Sequence, residues 1–252
     1  MKIGLTKMTS TTLATIDPQM ILLAFVTGFL PVILWLLFWL WEDHKNPEPK
    51  SLILYTFTLG LVAVFVAFFL EKLFESPSLE ISGWIGWLST LPFINMAVIE
   101  ELVKFSAIAF IIGRNRHLDE PIDAMIYMIT VALGFASMEN LLFLINSLSQ
   151  QETFGVFLFT GGLRFLGSTI LHTVCSALIG ATWALTFYKK SLQKWLTIFS
   201  GVILAIALHT AFNFLIIISG GQMMLPIMFV LWIFVLIILF LFELAKRVKP
   251  NF

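Results

Sequence analysis

Cysteine occurs once in 252 residues, at Cys175, so the chain can form no internal disulfide. It also has no thiolate pair for a metal, which would have to take histidine and carboxylate ligands. Charge is scarce: Asp, Glu, Lys and Arg make up 12% of the chain, where a soluble domain carries about a quarter. Neither sign prevails, with 15 basic against 15 acidic residues, so there is no electrostatic footprint for nucleic acid. Internal repeats, low-complexity tracts and an appended soluble domain are absent as well. What fills the chain is apolar: 59% hydrophobic residues, 26 Phe, 8 Trp and a mean hydropathy of +0.97.

Crossing ~30 Å of hydrocarbon takes about 20 apolar residues in a helix. Seven stretches meet that length: 20–41, 52–70, 91–112, 122–148, 163–188, 195–219 and 225–245. The run Met20–Trp41 is too long for the apolar part of a signal peptide and lacks a small-residue cleavage pattern, so it reads as the first span. Thr153–Gly162 is apolar but too short to cross, and reads as an interfacial or re-entrant piece. Trp35, Trp39, Trp41, Trp84, Trp87 and Trp195 fall near expected span ends, where amphipathic rings favour the headgroup region. The expectation is an all-α, polytopic transmembrane bundle of about seven spans. A polar tail (1–19) precedes it, the bundle covers 20–245 with its chemistry within about 91–219, and a basic tail (246–252) follows. Connectors one, three and five and the C-terminal tail hold ten Lys/Arg, and the other connectors with the N-terminal tail hold four. That asymmetry places the chain in the cell membrane with its C-terminus cytoplasmic.

Inside this apolar frame lie residues that do not belong in lipid. The third span carries Glu100-Glu101-Leu102-Val103-Lys104, the fourth Glu139 and Asn140, the fifth His172 flanked by Ser168 and Ser176, and the sixth His209 and Asn213. A charge at the bilayer centre costs roughly 2.5–3.5 kcal/mol even on lenient scales, so these groups must face one another or a water-filled cavity. Counting 1.5 Å per residue, Glu100, Glu139, His172 and His209 each fall about 14–15 Å from the same face, although alternate spans run in opposite directions. Lys104 shares a helix face with Glu100 and Glu101, so it can neutralise one carboxylate and leave the other as a base. His209 and Asn213, four apart, offer an imidazole and an amide to an oxyanion. The same set can hold zinc through His172, His209 and a carboxylate such as Glu139, with a position open for water. Blander readings attach to the individual residues. Ser168 and Ser176 suit close helix packing, Phe65, Phe68 and Phe69 suit lipid contact, and Asp123 suits a helix cap.

Taken in order, Glu100-Glu101-x-x-Lys104, Asp123, Gly134-Phe135-x-x-x-Glu139-Asn140, His172 and His209-x-x-x-Asn213 resemble the PrsW-type intramembrane proteases. That family lies within the superfamily of CAAX-prenyl and bacteriocin-processing proteases. The resemblance covers about Pro92–Phe214. It implies a multi-pass endopeptidase acting on membrane-anchored protein substrates, such as an anti-sigma factor. It implies water activation by Glu100, and an oxyanion or metal role for His209 and Asn213. Glu101, Glu139 and His172 complete the candidate catalytic set, with Lys104, Asp123 and Asn140 in support. One departure stands out: the CAAX branch ends its second motif in His, where this chain has Glu139. Intramembrane Glu, Lys and His also build ion pathways, so a transporter or proton-coupled carrier is the rival reading, and a non-catalytic membrane scaffold a third.

Overall fold

A computed structural model describes residues 17–44, 46–74, 92–112, 115–150, 153–220 and 222–250. The N-terminal tail up to residue 16, Trp84 and Trp87 lie outside the described residues. The described chain is helical throughout, without a strand. The helices are α1 (Pro18–Glu42), α2 (Lys50–Phe74), α3 (Pro92–Ala107), α4 (Pro121–Ser149), α5 (Phe154–Arg164), α6 (Ile170–Leu185), α7 (Ser191–Ile218) and α8 (Met224–Ala245). Single π-helical turns extend α3 over Ile108–Ile112 and join α5 to α6 over Phe165–Thr169. Six helical runs are long and apolar enough to cross a membrane, with α5, the π turn and α6 counting as one. The seventh, α3, is shorter and carries Glu100, Glu101 and Lys104.

α4 is the axis of the bundle. In its spanning window 83% of the residues are buried, against 17–38% in the other five runs, and it packs against α1, α2 and α6. Small residues permit this: Ala124, Ala132, Gly134, Ala136 and Ser137 are all buried. The closest approach is Gly60 of α2 against Gly134 of α4. A Cβ on Gly134 would stand 2.1 Å from the Phe57 carbonyl oxygen, and one on Gly60 would stand 2.2 Å from that of Val131. Only glycine fits at either position, because the clash is with backbone. Gly134→Ala is therefore expected to force α2 and α4 apart at a cost of about 1–3 kcal/mol, read as a lower melting temperature in detergent. An unchanged melting temperature would show that the two helices are not held at this distance.

The outer surface is apolar, as a lipid-facing surface must be: Leu22, Phe69, Leu192, Leu225 and Phe229 are each at least 66% exposed. Phe65 and Phe69 lie on that surface, but Phe68 turns inward against the cluster of Ala63, Val64, Ala67 and Phe135. Trp41 and Trp195 are exposed, whereas Trp39 is buried against Phe242 of α8. Thr153–Gly162 also differs from expectation. It forms no separate interfacial piece but winds as α5 through the π turn into α6. Phe157, fully buried with Ala24, Leu141 and Leu144, supplies the packing that holds this glycine-containing stretch helical.

Candidate active site

The ionisable residues of α3, α4, α6 and α7 converge. Glu100, Glu101, Lys104, Glu139, Asn140, His172 and His209 are all buried. Lys104 Nζ donates to Glu101 Oε1 at 2.6 Å and to His172 Nδ1 at 3.0 Å. A lysine ammonium offers no acceptor, so Nδ1 of His172 must carry the lone pair and Nε2 the proton. That Nε2–H then donates to Glu139 Oε2 at 2.9 Å. His209 is fixed in the opposite tautomer: its Nδ1–H donates to Glu101 Oε1 at 2.8 Å, leaving the Nε2 lone pair free. The two rings meet edge to face, centroids 5.2 Å apart.

Two of the three carboxylates have a cation. Glu101 has Lys104, and Glu139 has Arg164, whose Nη2 lies 2.7 Å away. Arg164 also donates from Nε to Asn140 Oδ1 at 2.8 Å, and Asn140 Nδ2 donates to Thr169 Oγ at 2.9 Å. Glu100 has no such partner. Its Oε2 is buried, makes no hydrogen bond, and stands 3.8 Å from both His172 Nδ1 and His209 Nε2. That distance is too long for a hydrogen bond but short enough for one small species to touch all three atoms. Ligand atoms of Glu100, His172 and His209 lie within 4.8 Å of one another, the spacing of a metal-binding triad.

The structure does not bring every candidate here. Where the sequence pairs Glu139 with both histidines, Glu139 instead meets the far nitrogen of His172, and the carboxylate oxygen that stands within 4 Å of both imidazoles is that of Glu100. Asn213, one turn beyond His209, is half-buried and makes no side-chain hydrogen bond to a described residue. Asp123 is sixteen residues from Glu139 along α4, about 24 Å away, where its Oδ2 accepts the backbone N–H of Asp119 and Glu120 and caps the helix. Arg164 is one of the four Lys/Arg that the sequence assigns to the N-terminal tail and the connectors of the outer face. It sits two turns before His172, and Ser168 between them bridges Arg164 Nη2 and Glu139 Oε2 at 3.2 Å each. The spacing Arg164, Ser168, His172 was its signal. Both π turns adjoin this site, one ending three residues before His172 and the other starting four after Lys104, a placement π turns often take at functional sites.

Residues 48–241 match the family described as PrsW family intramembrane metalloprotease. Among characterised relatives, a protein named Protease PrsW from Bacillus subtilis is 28% identical over 215 residues, 82% of this chain and 89% of that one. Its namesake from Oceanobacillus iheyensis is 29% identical over 204 residues, covering 80% and 87% of the two chains. That from Geobacillus kaustophilus is 30% identical over 118 residues, 47% and 50% respectively. No solved structure matches the chain. The matched stretch takes in every residue of the buried layer and decides for a protease over a carrier: the chain belongs to the PrsW family of intramembrane proteases.

Proposed function

We propose that this enzyme hydrolyses peptide bonds of membrane-anchored proteins, an anti-sigma factor in regulated proteolysis being one such substrate, with a divalent metal in the layer. The observation that carries this reading is Glu100 Oε2, buried, unpartnered and equidistant from two imidazole nitrogens. Glu100, His172 and His209 would hold the ion, and this nitrogen–oxygen set suits zinc. Bound there, the ion would acidify a water and polarise the scissile carbonyl.

The chain's own residues do the rest. Glu101 and Glu139 each take the N–H of one histidine, which fixes the tautomers and turns a ring nitrogen of each toward Glu100. Lys104 neutralises Glu101 and so keeps it an acceptor. In a metal-free form Glu100, the carboxylate of the layer without a lysine or arginine partner, can take a proton from the attacking water and return it to the leaving amine. Asn213, with its amide uncommitted, can donate to the oxyanion. Access for an anchored substrate is supported by an apolar cavity of 660 Å³ between α2 and α3, lined by Leu59, Val62, Ala63, Ile99, Leu102 and Val103. Ile99 is the immediate neighbour of Glu100, and Val62 and Leu102 are open to the lipid side. The ten-to-four Lys/Arg asymmetry supports a cytoplasmic C-terminus, with the layer nearer the outer face.

The test is cleavage of a membrane-anchored peptide by the purified enzyme, with metal analysis in parallel. Stoichiometric zinc is expected, lost together with activity in His172→Ala, with wild-type activity abolished by a chelator and restored by zinc. Lys104 already occupies the lone pair of His172, which favours a second form in which Glu100 activates water unaided. Full activity of the metal-free protein would select that form.

A further inference from the structure

We infer, on the protease reading above, that Arg164 is a positioning residue of the hydrolytic layer: it fixes the Glu139 carboxylate and, through it, the ring of His172. Arg164 belongs to none of the motifs that carry the family resemblance. One oxygen joins the three residues. Glu139 Oε2 accepts His172 Nε2–H at 2.9 Å, lies 2.7 Å from Arg164 Nη2, and accepts the Ser168 hydroxyl at 3.2 Å. His172 is therefore held at its far nitrogen by an atom that Arg164 holds in turn. The guanidinium is itself fixed by three side chains of α4. These are the Glu139 carboxylate, Asn140 Oδ1, which accepts Nε–H at 2.8 Å, and the Phe143 ring, its centroid 3.7 Å from Cζ. A carboxylate, an amide oxygen and a ring face together suit a flat fork of N–H groups, which lysine does not reproduce.

The same arrangement occurs on the other histidine, which separates positioning from simple charge balance. His209 Nδ1–H donates to Glu101 Oε1 at 2.8 Å, and that oxygen also accepts Lys104 Nζ–H at 2.6 Å. Each imidazole thus gives its proton to one carboxylate oxygen that a cation holds: His209–Glu101–Lys104 and His172–Glu139–Arg164. Both relays leave the opposite ring nitrogen 3.8 Å from Glu100 Oε2. The second relay is anchored to the backbone junction beside it. Arg164 ends α5, and the π turn Phe165–Thr169 between it and His172 sets how the two side chains face α4. Asn140 pins that turn by donating to Thr169, its last residue, at 2.9 Å. Arg164 and Glu139 are also the least buried of these charges, their side chains 14% and 10% exposed against 4% or less for Glu100, Glu101, Lys104 and both histidines. Replacing Arg164 therefore costs folding less than replacing Lys104.

Cleavage of an anchored peptide and proton NMR of the histidine ring N–H groups, both on the full-length protein in detergent, test this. A ring N–H donated to a carboxylate resonates far downfield, and the His172 signal is the one that His172→Ala removes. In Arg164→Gln that signal should move upfield or vanish into exchange with water, while the His209 signal stays. Turnover should fall about 10–100-fold, with KM unchanged. Arg164→Lys should recover part of both, because the charge returns without the fork. If Arg164→Gln does not fold, Arg164→Lys carries the same comparison. Added to Glu139→Gln, the Arg164→Gln change should cost less than about threefold more, since the carboxylate it acts through is already neutral. An unmoved His172 signal, wild-type turnover in Arg164→Gln, or an equal loss in both backgrounds would overturn the assignment. A wild-type protein that cleaves nothing would instead overturn the protease reading, and the N–H signals would still decide whether Arg164 orients His172.

Discussion

Glu100→Gln is expected to reduce cleavage by about a thousandfold or more, while the protein remains as stable as the wild type or becomes more so. The two halves of this outcome have one cause. A buried carboxylate without a counter-ion costs several kcal/mol, and in the apo protein Glu100 is the member of the layer without one. Glutamine keeps the shape, removes the charge and opens no cavity. On the proposed mechanism the same change removes an anionic metal ligand or, in the metal-free form, the proton acceptor, and either loss is worth orders of magnitude in rate. Activity on an anchored peptide and the melting temperature of the metal-free protein should therefore move in opposite directions or, at the least, apart. If activity and stability fell together, Glu100 would be a structural residue. If neither moved, the chemistry would lie elsewhere in the layer.

The site was legible because lipid makes polar residues conspicuous. Glu100, Glu101, Lys104, Glu139, His172 and His209 stand out in apolar runs, and depth counting along alternating spans put four of them in one layer. What one sequence could not supply is azimuth. Depth alone does not say which nitrogen of His172 faces which carboxylate, and so Glu139 and Glu100 were interchangeable as the partner of both histidines. Arg164 was missed for a related reason: a cation near an expected span end reads as a topology signal, whereas burial of its guanidinium against Glu139 depends on α5 continuing into α6. That continuation rests on Phe157 packing among residues from α1 and α4, contacts distant in sequence. Asp123 illustrates the opposite case, since its reading as a helix cap holds and its place in support of the site does not. It lies within the family's motif, yet its carboxylate is spent on backbone amides about 24 Å from Glu139. The inward turn of Trp39 and Phe68 follows the same logic. In a membrane bundle the inner and outer faces of a helix are equally apolar, so hydropathy does not tell them apart.

The removal of Lys104 should have the largest effect on folding. Its side chain is fully buried, with Nζ 2.6 Å from Glu101, 3.0 Å from His172 and 5.0 Å from the centroid of the Phe135 ring. Lys104→Met conserves volume and leaves Glu101 a buried charge with only a neutral imidazole beside it, a loss of about 3–5 kcal/mol. It also releases Nδ1 of His172, so the tautomer that directs Nε2–H to Glu139 is no longer enforced. The expected result is little folded protein and no cleavage. Lys104→Arg should be milder, because the charge survives, but not silent, because a planar guanidinium cannot occupy the same point between Glu101 and His172. The double change Lys104→Met with Glu101→Gln separates charge from packing. Cancelling both charges should return most of the stability, since well-matched neutral replacements of buried ion pairs are often tolerated. Activity should stay lost, because Glu101 then no longer fixes His209 as an anionic acceptor. Melting temperature and cleavage for the two single changes and the double change complete the cycle. A Lys104→Met protein that folds and cleaves like the wild type would show that the pair contributes nothing. A double change no more stable than Lys104→Met would show that the cost is packing and not charge.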